Sequence, residues 1–457
     1  MVYTISNHCQ SVEITNDIKE SVWREIFISL VVSIPFFTHG VETTTLTASI
    51  HSGHFIQHDG VPWSTTALIL ATCIAPPLYC YLIDRYGRRL GMFCVSFVQG
   101  ASLIPLFLLN DTSIIILHVI VGISSGGLFT VLPIYIREIC SSKTRGYTLV
   151  WIMVMTTLGY MMKLVTSLEE RSYLMVLLVM MQFVMMMFVM ETPAYLVMKD
   201  KVEVAKCNIS RLKGLHQDDP EILKLISDLN GENDRAKLNG KFSTTTLYRN
   251  KIWWDGAKVS VVLFTTMTLC GSIVFLDQQK TLMQLKNDVD PQNLLVLGSM
   301  MAGAVCSVAF VAFLDRKYLL TFGYATMALA SGVVAVYTQV DLTISSYRWV
   351  PVAALTVLVF GYGICWAIPV IITVEIFNMR IRATLLGIIF SYSQVLKLCH
   401  VQTFQYIEDY VGVYTLFYIF SCINLYGAVY TLFVAPNLKG KSLRQIEKQL
   451  KRTPLPA

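Results

Sequence analysis

An all-α membrane protein with twelve transmembrane helices, built as two six-helix pseudo-repeats, is the fold class this sequence predicts. Three observations predict it: a deficit of charge, long apolar runs at regular intervals, and acid–base patterns that return half a chain later. Of the 457 residues, 54% are hydrophobic and 14% charged, whereas soluble domains carry roughly 25% charged residues. Mean hydropathy is +0.57. Ordinary core burial does not account for so large a deficit.

The apolar runs supply the reason. Residues 91–109, 173–190 and 383–396 contain no charge. A bilayer core about 30 Å thick takes roughly 20 apolar residues per helix, and a helix satisfies its own backbone hydrogen bonds where lipid offers none. Spans are expected near 25–46, 63–83, 90–109, 113–136, 147–166, 173–190, 256–277, 292–314, 318–338, 350–372, 383–405 and 411–434. No cleavable signal peptide is expected: the first 22 residues are polar, and the apolar run 26–37 passes into a Thr-rich stretch without a cleavage pattern. The cysteines, among them Cys73, Cys80, Cys94, Cys270 and Cys306, are scattered through apolar runs and read as small core residues.

Charge sets the orientation. With the N-terminus in the cytosol, the inner segments hold Lys19, Arg24, Arg85, Arg88, Arg89, Arg137, Lys143, Arg145, Arg316, Lys317, Arg380, Arg382 and the basic tail after Pro436. The outer loops hold Arg171, Lys280, Lys286 and Arg348. Basic residues concentrate on the cytosolic side of membrane proteins, so both termini are expected inside, with the plasma membrane as the default location. The net charge of +6 then reflects topology and does not point to a nucleic-acid partner.

The expected organisation is a cytosolic N-terminus (1–24), a first bundle (25–190), a cytosolic segment (191–255), a second bundle (256–434) and a cytosolic tail (435–457). Within the 191–255 segment, the apolar spacing of Pro220-Glu-Ile-Leu-Lys-Leu-Ile-Ser-Asp-Leu229 predicts short amphipathic helices. The two bundles echo one another. Asp84-Arg85 follows span two and Asp315-Arg316 follows span eight; Glu138 precedes Arg145 by seven residues, and Glu375 precedes Arg382 by the same number. Two matched pairs at equivalent loops argue for duplication.

Carboxylates and guanidiniums at helix ends pair bidentately. Asp84, Arg88, Arg89, Glu138, Arg145, Asp315, Arg316, Glu375 and Arg382 are therefore candidate members of a cytosolic gate that latches the halves together. The bland alternative is a set of interfacial charges obeying the inside-positive bias. No nucleophile elbow, phosphate loop or metal-ligand spacing occurs, so no enzyme activity, cofactor or metal is expected.

At these residues the sequence resembles the sugar transporters of the major facilitator superfamily. Asp84-Arg-Tyr-Gly-Arg-Arg89 is similar to the signature loop between helices two and three. Gly122-Ile-Ser-Ser-Gly126-Gly127, Pro133-Ile-Tyr135-Ile-Arg-Glu138 and Arg145-Gly146 resemble the signature around helix four. Glu191-Thr-Pro193-Ala-Tyr195-Leu196, with Ala205 and Arg211-Leu-Lys-Gly214, resembles the element after helix six, and Pro436-Asn-Leu-Lys439-Gly440 the element after helix twelve. Insect facilitated trehalose transporters look most similar. The resemblance implies the major facilitator fold and transport of a sugar, trehalose or a hexose, by alternating access.

The substrate positions implied by that resemblance depart from the family pattern. Met153 replaces a Gln of helix five; Met267 and Thr268 replace the paired Gln of helix seven, and Ile273 an Asn. Pro369-Val370 stands for Pro-Trp, Ser393-Gln394 for Asn-Trp, and His118 for an Arg. A site that reads hydroxyls discriminates because its polar groups need partners; Met, Ile and Val remove that demand. Span one carries no Asp, whereas proton symporters of the family usually carry one there; this favours facilitated diffusion, with Glu42 and the histidines as open alternatives. The expected cavity candidates are Met153, Thr156, Thr157, Thr268, Ser272, Pro369, Val370, Ser393, Gln394 and Lys397.

Ionisable groups inside spans are functional candidates by default. Lys397 lies mid-span, where it either meets a polar or anionic solute or pairs with a carboxylate such as Glu42. Lys163 is placed to snorkel outward, and His39 and His400 read as satisfied interior histidines. The methionines 175, 180, 181, 185, 186, 187 and 190 read as lipid-facing or core packing. The expected partners are a small-molecule solute and the bilayer, with a monomer as the default. The rivals to sugar transport are carriage of a non-sugar organic solute and a transport-silent sensor that keeps the fold.

Overall fold

The computed structural model describes residues 22–46, 63–108, 111–141, 144–238, 244–272, 291–340, 349–441 and 443–452. The first half holds α1 (Val22–Leu46), α2 (Trp63–Tyr86), α3 (Arg88–Leu108), α4 (Thr112–Ile139), α5 (Arg145–Leu164) and α6 (Leu168–Met187). The second holds α7 (Lys251–Thr268), α8 (Pro291–Val311), α9 (Arg316–Val340), α10 (Trp349–Ile376), α11 (Arg382–Val411) and α12 (Val413–Phe433). Eleven of the described helices are long and apolar enough to cross a membrane. The exception is α7, whose first turns carry Lys251, Asp255 and Lys258; the rest of its expected span, 273–277 with Ile273, lies outside the described residues, as does Lys143.

Local chemistry explains where the boundaries move. α6 begins five residues before its expected start because Ser167 and Glu170 form a capping box: the Glu170 amide donates to Ser167 Oγ at 3.3 Å, and the Ser167 amide to Glu170 Oε2 at 2.7 Å. α10 is interrupted between Cys365 and Ile368, because Pro369 provides no amide hydrogen to the preceding turn. Segment 191–255 carries short helices at Pro193–Met198, Val202–Lys213, Pro220–Leu238 and Thr244–Arg249.

The packing follows the duplication. α2 lies on α4 and α8 on α10; α3 contacts α4 and α6, and α9 contacts α10 and α12. Between the halves, α2 packs on α11 and α5 on α8, the same contact seen twice under a six-helix shift. Even the buried polar clasps correspond. α1 is held by α3 and α6 through Gln99 Nε2 to the Pro35 carbonyl (3.1 Å), Thr38 Oγ1 to Gln182 Oε1 (3.2 Å) and Gln182 Nε2 to Gln99 Oε1 (2.8 Å). α7 is held by α9 and α12 through the Thr266–Tyr324 hydroxyl pair (2.9 Å) and Asn424 Nδ2 to the Cys270 carbonyl (3.1 Å). The ten described cysteines are all unpaired.

Closest approaches use glycine. A Cβ on Gly159 of α5 would lie 2.5 Å from the Phe37 carbonyl oxygen and 2.6 Å from Gly40 Cα, backbone that does not yield. A Cβ on Gly298 of α8 meets nothing within 4 Å. The same substitution is therefore expected to act with opposite signs. Gly159→Ala should lower the melting temperature of the purified protein by the equivalent of about 1–3 kcal/mol. Gly298→Ala should be neutral or stabilising by about 0.5–1 kcal/mol. A thermal-shift series in detergent checks both.

Candidate functional site

Basic residues gather at one end of the bundle, and a buried carboxylate organises them. Glu138 ends α4 with no exposed side-chain surface. Arg88 donates to it from Nε at 3.1 Å and Nη2 at 3.3 Å, Thr192 from Oγ1 at 2.6 Å, and Arg382 of the second half from Nη1 at 3.4 Å. Arg88 also pairs with Asp84 at 3.3 Å and donates to the Ile83 carbonyl at 3.1 Å. Arg382 donates from Nε to the Val374 carbonyl at 2.8 Å, which fixes its fork.

Around this centre the second half repeats part of the pattern. Arg316 Nη2 donates to Glu375 at 2.9 Å. The Leu438 amide donates to Asp315 at 3.4 Å, tying the segment after α12 to the start of α9. Arg145 donates to the Cys140 carbonyl at 3.2 Å. Among the described residues Arg145, Arg89 and Asp315 form no ion pair within 4.0 Å. The structure thus brings together Asp84, Arg88, Glu138 and Arg382, and separately Arg316 and Glu375. It does not join Arg145 to Glu375, although the repeat would have them mirror Arg382 and Glu138.

Several members of this network were given no part in the gate by the sequence, although Glu191 opens the motif after helix six. Glu191 caps α3, accepting from the amides of Arg88 (2.9 Å) and Arg89 (3.2 Å), where the helix dipole favours an anion. Burial pushes its carboxyl up from the ordinary range, and the amides of Thr192, Arg88 and Arg89 pull it back. Gly87 admits this approach: its φ is 113°, and a Cβ there would collide with Glu191 Oε2. The helix Pro220–Leu238 supplies a second bridge. Glu232 accepts from the Met379 amide at 3.1 Å and lies 3.7 Å from Arg382; Asn233 accepts from Arg380 at 3.0 Å and donates to the Val197 carbonyl at 3.3 Å. The polar composition of that helix marked it as solvated, and nothing in its pattern pointed to these two positions.

Midway along the helices the two halves meet through rings. Phe129 of α4 lies 5.3 Å from Phe36, 5.5 Å from His39, 5.1 Å edge-on from Trp366 and 5.8 Å stacked from Phe390; Phe264 joins Phe390 at 6.3 Å. α1, α4, α7, α10 and α11 all contribute. Of the cavity candidates, Met153, Thr156 and Thr157 are buried in α5, and Ser272 and Pro369 are buried as well; Thr268, Val370, Gln394 and Lys397 are half-buried. The Thr156, Thr157, Thr268 and Ser393 hydroxyls donate to carbonyls of their own helices, at 2.9, 2.8, 2.7 and 2.7 Å, the usual satisfaction of such groups. Glu42 is buried beside His39 at 3.7 Å and accepts no hydrogen bond, so the alternative pairing with Lys397 is not formed. His118 satisfies itself on the Ile114 carbonyl at 2.7 Å. Among the described residues no cluster suited to a metal ion occurs. An apolar groove of about 440 Å³, lined by Ile74, Leu78, Tyr79, Cys94 and Ile123, opens between α2, α3 and α4.

Two bundles of six helices that meet at a charged end and a ring layer make up the major facilitator fold. The proton:xylose symporter XylE bound to 6-bromo-6-deoxy-D-glucose superposes with a TM-score of 0.80 at 15% identity, covering 95% of this chain and 100% of that one. The inward open conformation of XylE from E. coli gives 0.63 at 18% identity, covering 93% and 99%. The family profile described as "Sugar (and other) transporter" matches residues 58–450, and the chain belongs to that family; it is a membrane transporter and not an enzyme. The facilitated trehalose transporter Tret1 of Bombyx mori is 24% identical over 450 residues, covering 94% of this chain and 87% of that protein. Solute carrier family 2, facilitated glucose transporter member 5 of Bos taurus is 26% identical over 399 residues, covering 80% and 76%.

Removing one partner of a buried ion pair strands the others at about 3–5 kcal/mol. Glu138→Ala is expected to lower thermal stability by about that amount, and Thr192→Val by about 1.5–3 kcal/mol, since its bond is to a charge. Because Arg382→Met removes the same cross-bridge, the Glu138/Arg382 double variant should cost less than the sum of the singles. Additive losses would show that the two side chains act independently.

Proposed function

We propose that this chain carries a sugar, trehalose or a hexose, across the plasma membrane by facilitated diffusion through alternating access. The observation that carries the reading is the Glu138–Arg382 contact at 3.4 Å, which ties the halves together at the basic end beneath a ring layer that both halves build. The basic end is cytosolic, with both termini, by the inside-positive bias. In the latched state, Asp84, Arg88, Arg316 and Glu375 hold each half's helix ends in register while Arg382 and the Glu232–Asn233 helix span the gap. Breaking those bonds frees the halves to rock about the central layer and expose it to the other side. The family membership and the names of its relatives support a sugar as the solute.

A second reading concerns energy coupling. Glu42, 1% exposed and accepting no hydrogen bond, with His39 at 3.7 Å, is a buried acid suited to carrying a proton. Radiolabelled trehalose and glucose uptake in a transporter-free cell separates the readings. Facilitated diffusion gives saturable uptake indifferent to a protonophore and to Glu42→Gln; coupling makes both inhibitory. Flat uptake of every solute, with correct surface delivery, would sink transport altogether. Arg382→Met should also raise hydrogen exchange at residues 138–145 and 375–382, the two ends of the latch, whereas unchanged exchange there would remove its gating role.

A further inference from the structure

Among the described residues, Lys397 has no hydrogen-bonding or ionic partner and is half-buried in α11. Among the described residues no carboxylate lies within 4.0 Å of it, and Glu42 is turned to His39. An ammonium left unpaired within a bilayer is costly and marks a functional group whose partner is to be named. Snorkelling does not account for it. The exposed face of α11 is made by Ile388, Tyr392, Val395 and Cys399, and Lys397 projects from the opposite face. At about 100° per residue, seven residues return within about 20° of the starting bearing, so Lys397 shares the bearing of Phe390. Phe390 stacks on Phe129 of the other half. The half-buried surface of Lys397 therefore opens toward the space between the halves, about 10 Å beyond the ring layer and away from the basic end. Gln394, half-buried one turn earlier, presents its amide on the same side; its bond to Ser393 Oγ is long, at 3.4 Å.

The duplication sharpens the point. Lys397 follows Arg382 by fifteen residues, as Tyr160 follows Arg145. Thr156 and Thr157 correspond in the same way to Ser393 and Gln394. The first half thus places an aromatic phenol where the second places a full charge. Nothing in helix packing requires that difference.

We infer that the transported solute bears a carboxylate, which Lys397 and Gln394 receive while its apolar face rests on the Phe129–Phe390–Trp366 layer. Rings and aliphatic faces stack favourably on such a layer, and an ammonium in a dry cavity strengthens a carboxylate contact. The inference rests on the transport reading above, and on that reading's solute it departs: an organic acid, sugar acids included, takes the place of the neutral sugar.

The test uses the full chain, purified and reconstituted in vesicles, with mandelate as the probe, mandelamide as its neutral counterpart, and glucose and trehalose for comparison. Saturable mandelate uptake that exceeds mandelamide uptake at least 10-fold is expected. Lys397→Met should weaken mandelate uptake roughly 10- to 100-fold, the range for loss of a charged hydrogen bond, and Lys397→Arg should restore part of it. Thermal stabilisation by mandelate, present in the parent and absent in Lys397→Met, gives a readout that does not need turnover. Equal handling of mandelate and mandelamide, or mandelate effects unchanged in Lys397→Met, overturns the inference. Glucose or trehalose uptake without any mandelate uptake or stabilisation overturns it while leaving transport intact. Silence toward all four solutes overturns it together with the transport reading.

Discussion

A carboxylate with no exposed surface, Glu138, has to find its whole solvation shell in the protein, and three helix ends are arranged to provide it. An uncompensated buried ion costs several kcal/mol, so the start of α3, the segment after α6 and the start of α11 cannot drift from the end of α4 independently. That constraint converts a local charge into a global one. Arg88 of its own half and Thr192 of the segment that follows hold Glu138, and among the described residues Arg382 alone reaches it from the other half. In the alternating-access cycle proposed above, the Arg88 and Thr192 bonds would stay with Glu138 when the halves separate, so opening would forfeit the Arg382 bond without stranding the carboxylate.

The repeat makes the asymmetry of this arrangement informative. Arg316 and Glu375 reproduce the Arg88–Glu138 pair within the second half, yet Arg145, the counterpart of Arg382, turns to the Cys140 carbonyl. One of the two cross-bridges offered by the duplication is made. The other position is taken over by the Pro220–Leu238 helix, which reaches Met379, Arg380 and Arg382 through Glu232 and Asn233 and binds the Val197 carbonyl of the short helix that follows the first half. A closed state held by one direct pair and one hydrogen-bonded strap is easier to release than one held by two buried pairs, because each ion pair broken costs desolvation and geometry together.

The sequence made the fold legible because membrane helices write their length and boundaries in hydropathy and charge. α2, α4 and α9 match their expected spans closely. α6 starts early because a capping box competes with the apolar pattern, and α7 is marginal because Lys251, Asp255 and Lys258 enter its first turns. In the gate, Glu138, Arg88 and Arg382 were legible as paired motifs, since acid and base recur at fixed spacing. The gate roles of Glu191, Glu232 and Asn233 were not: Glu191 acts through backbone amides, and Glu232 and Asn233 meet Met379, Arg380 and Arg382 from a distant helix with no matched spacing to mark the pairing. The hydroxyl candidates of α5, α7 and α11 show the converse, since a Ser or Thr in a span advertises polarity that its own helix then consumes.

The centre obeys the duplication in shape while departing from it in chemistry. Phe129 and Trp366 are 237 residues apart, the spacing that relates Glu138 to Glu375, and they touch each other at 5.1 Å. Repeat-equivalent residues in mutual contact lie on the pseudo-two-fold axis, so in the rocking cycle proposed above the ring layer would be the pivot of the two halves. A pivot made of rings tolerates rocking, because edge-on and offset packings are close in energy, whereas directional hydrogen bonds across the same plane would have to break at each cycle. Selectivity is then best placed off the axis, on a helix of one half, where a single polar group can meet a solute without binding the halves to each other. Charge on α11 and its absence at the matching position of α5 fit that division of labour: symmetry for movement, asymmetry for recognition.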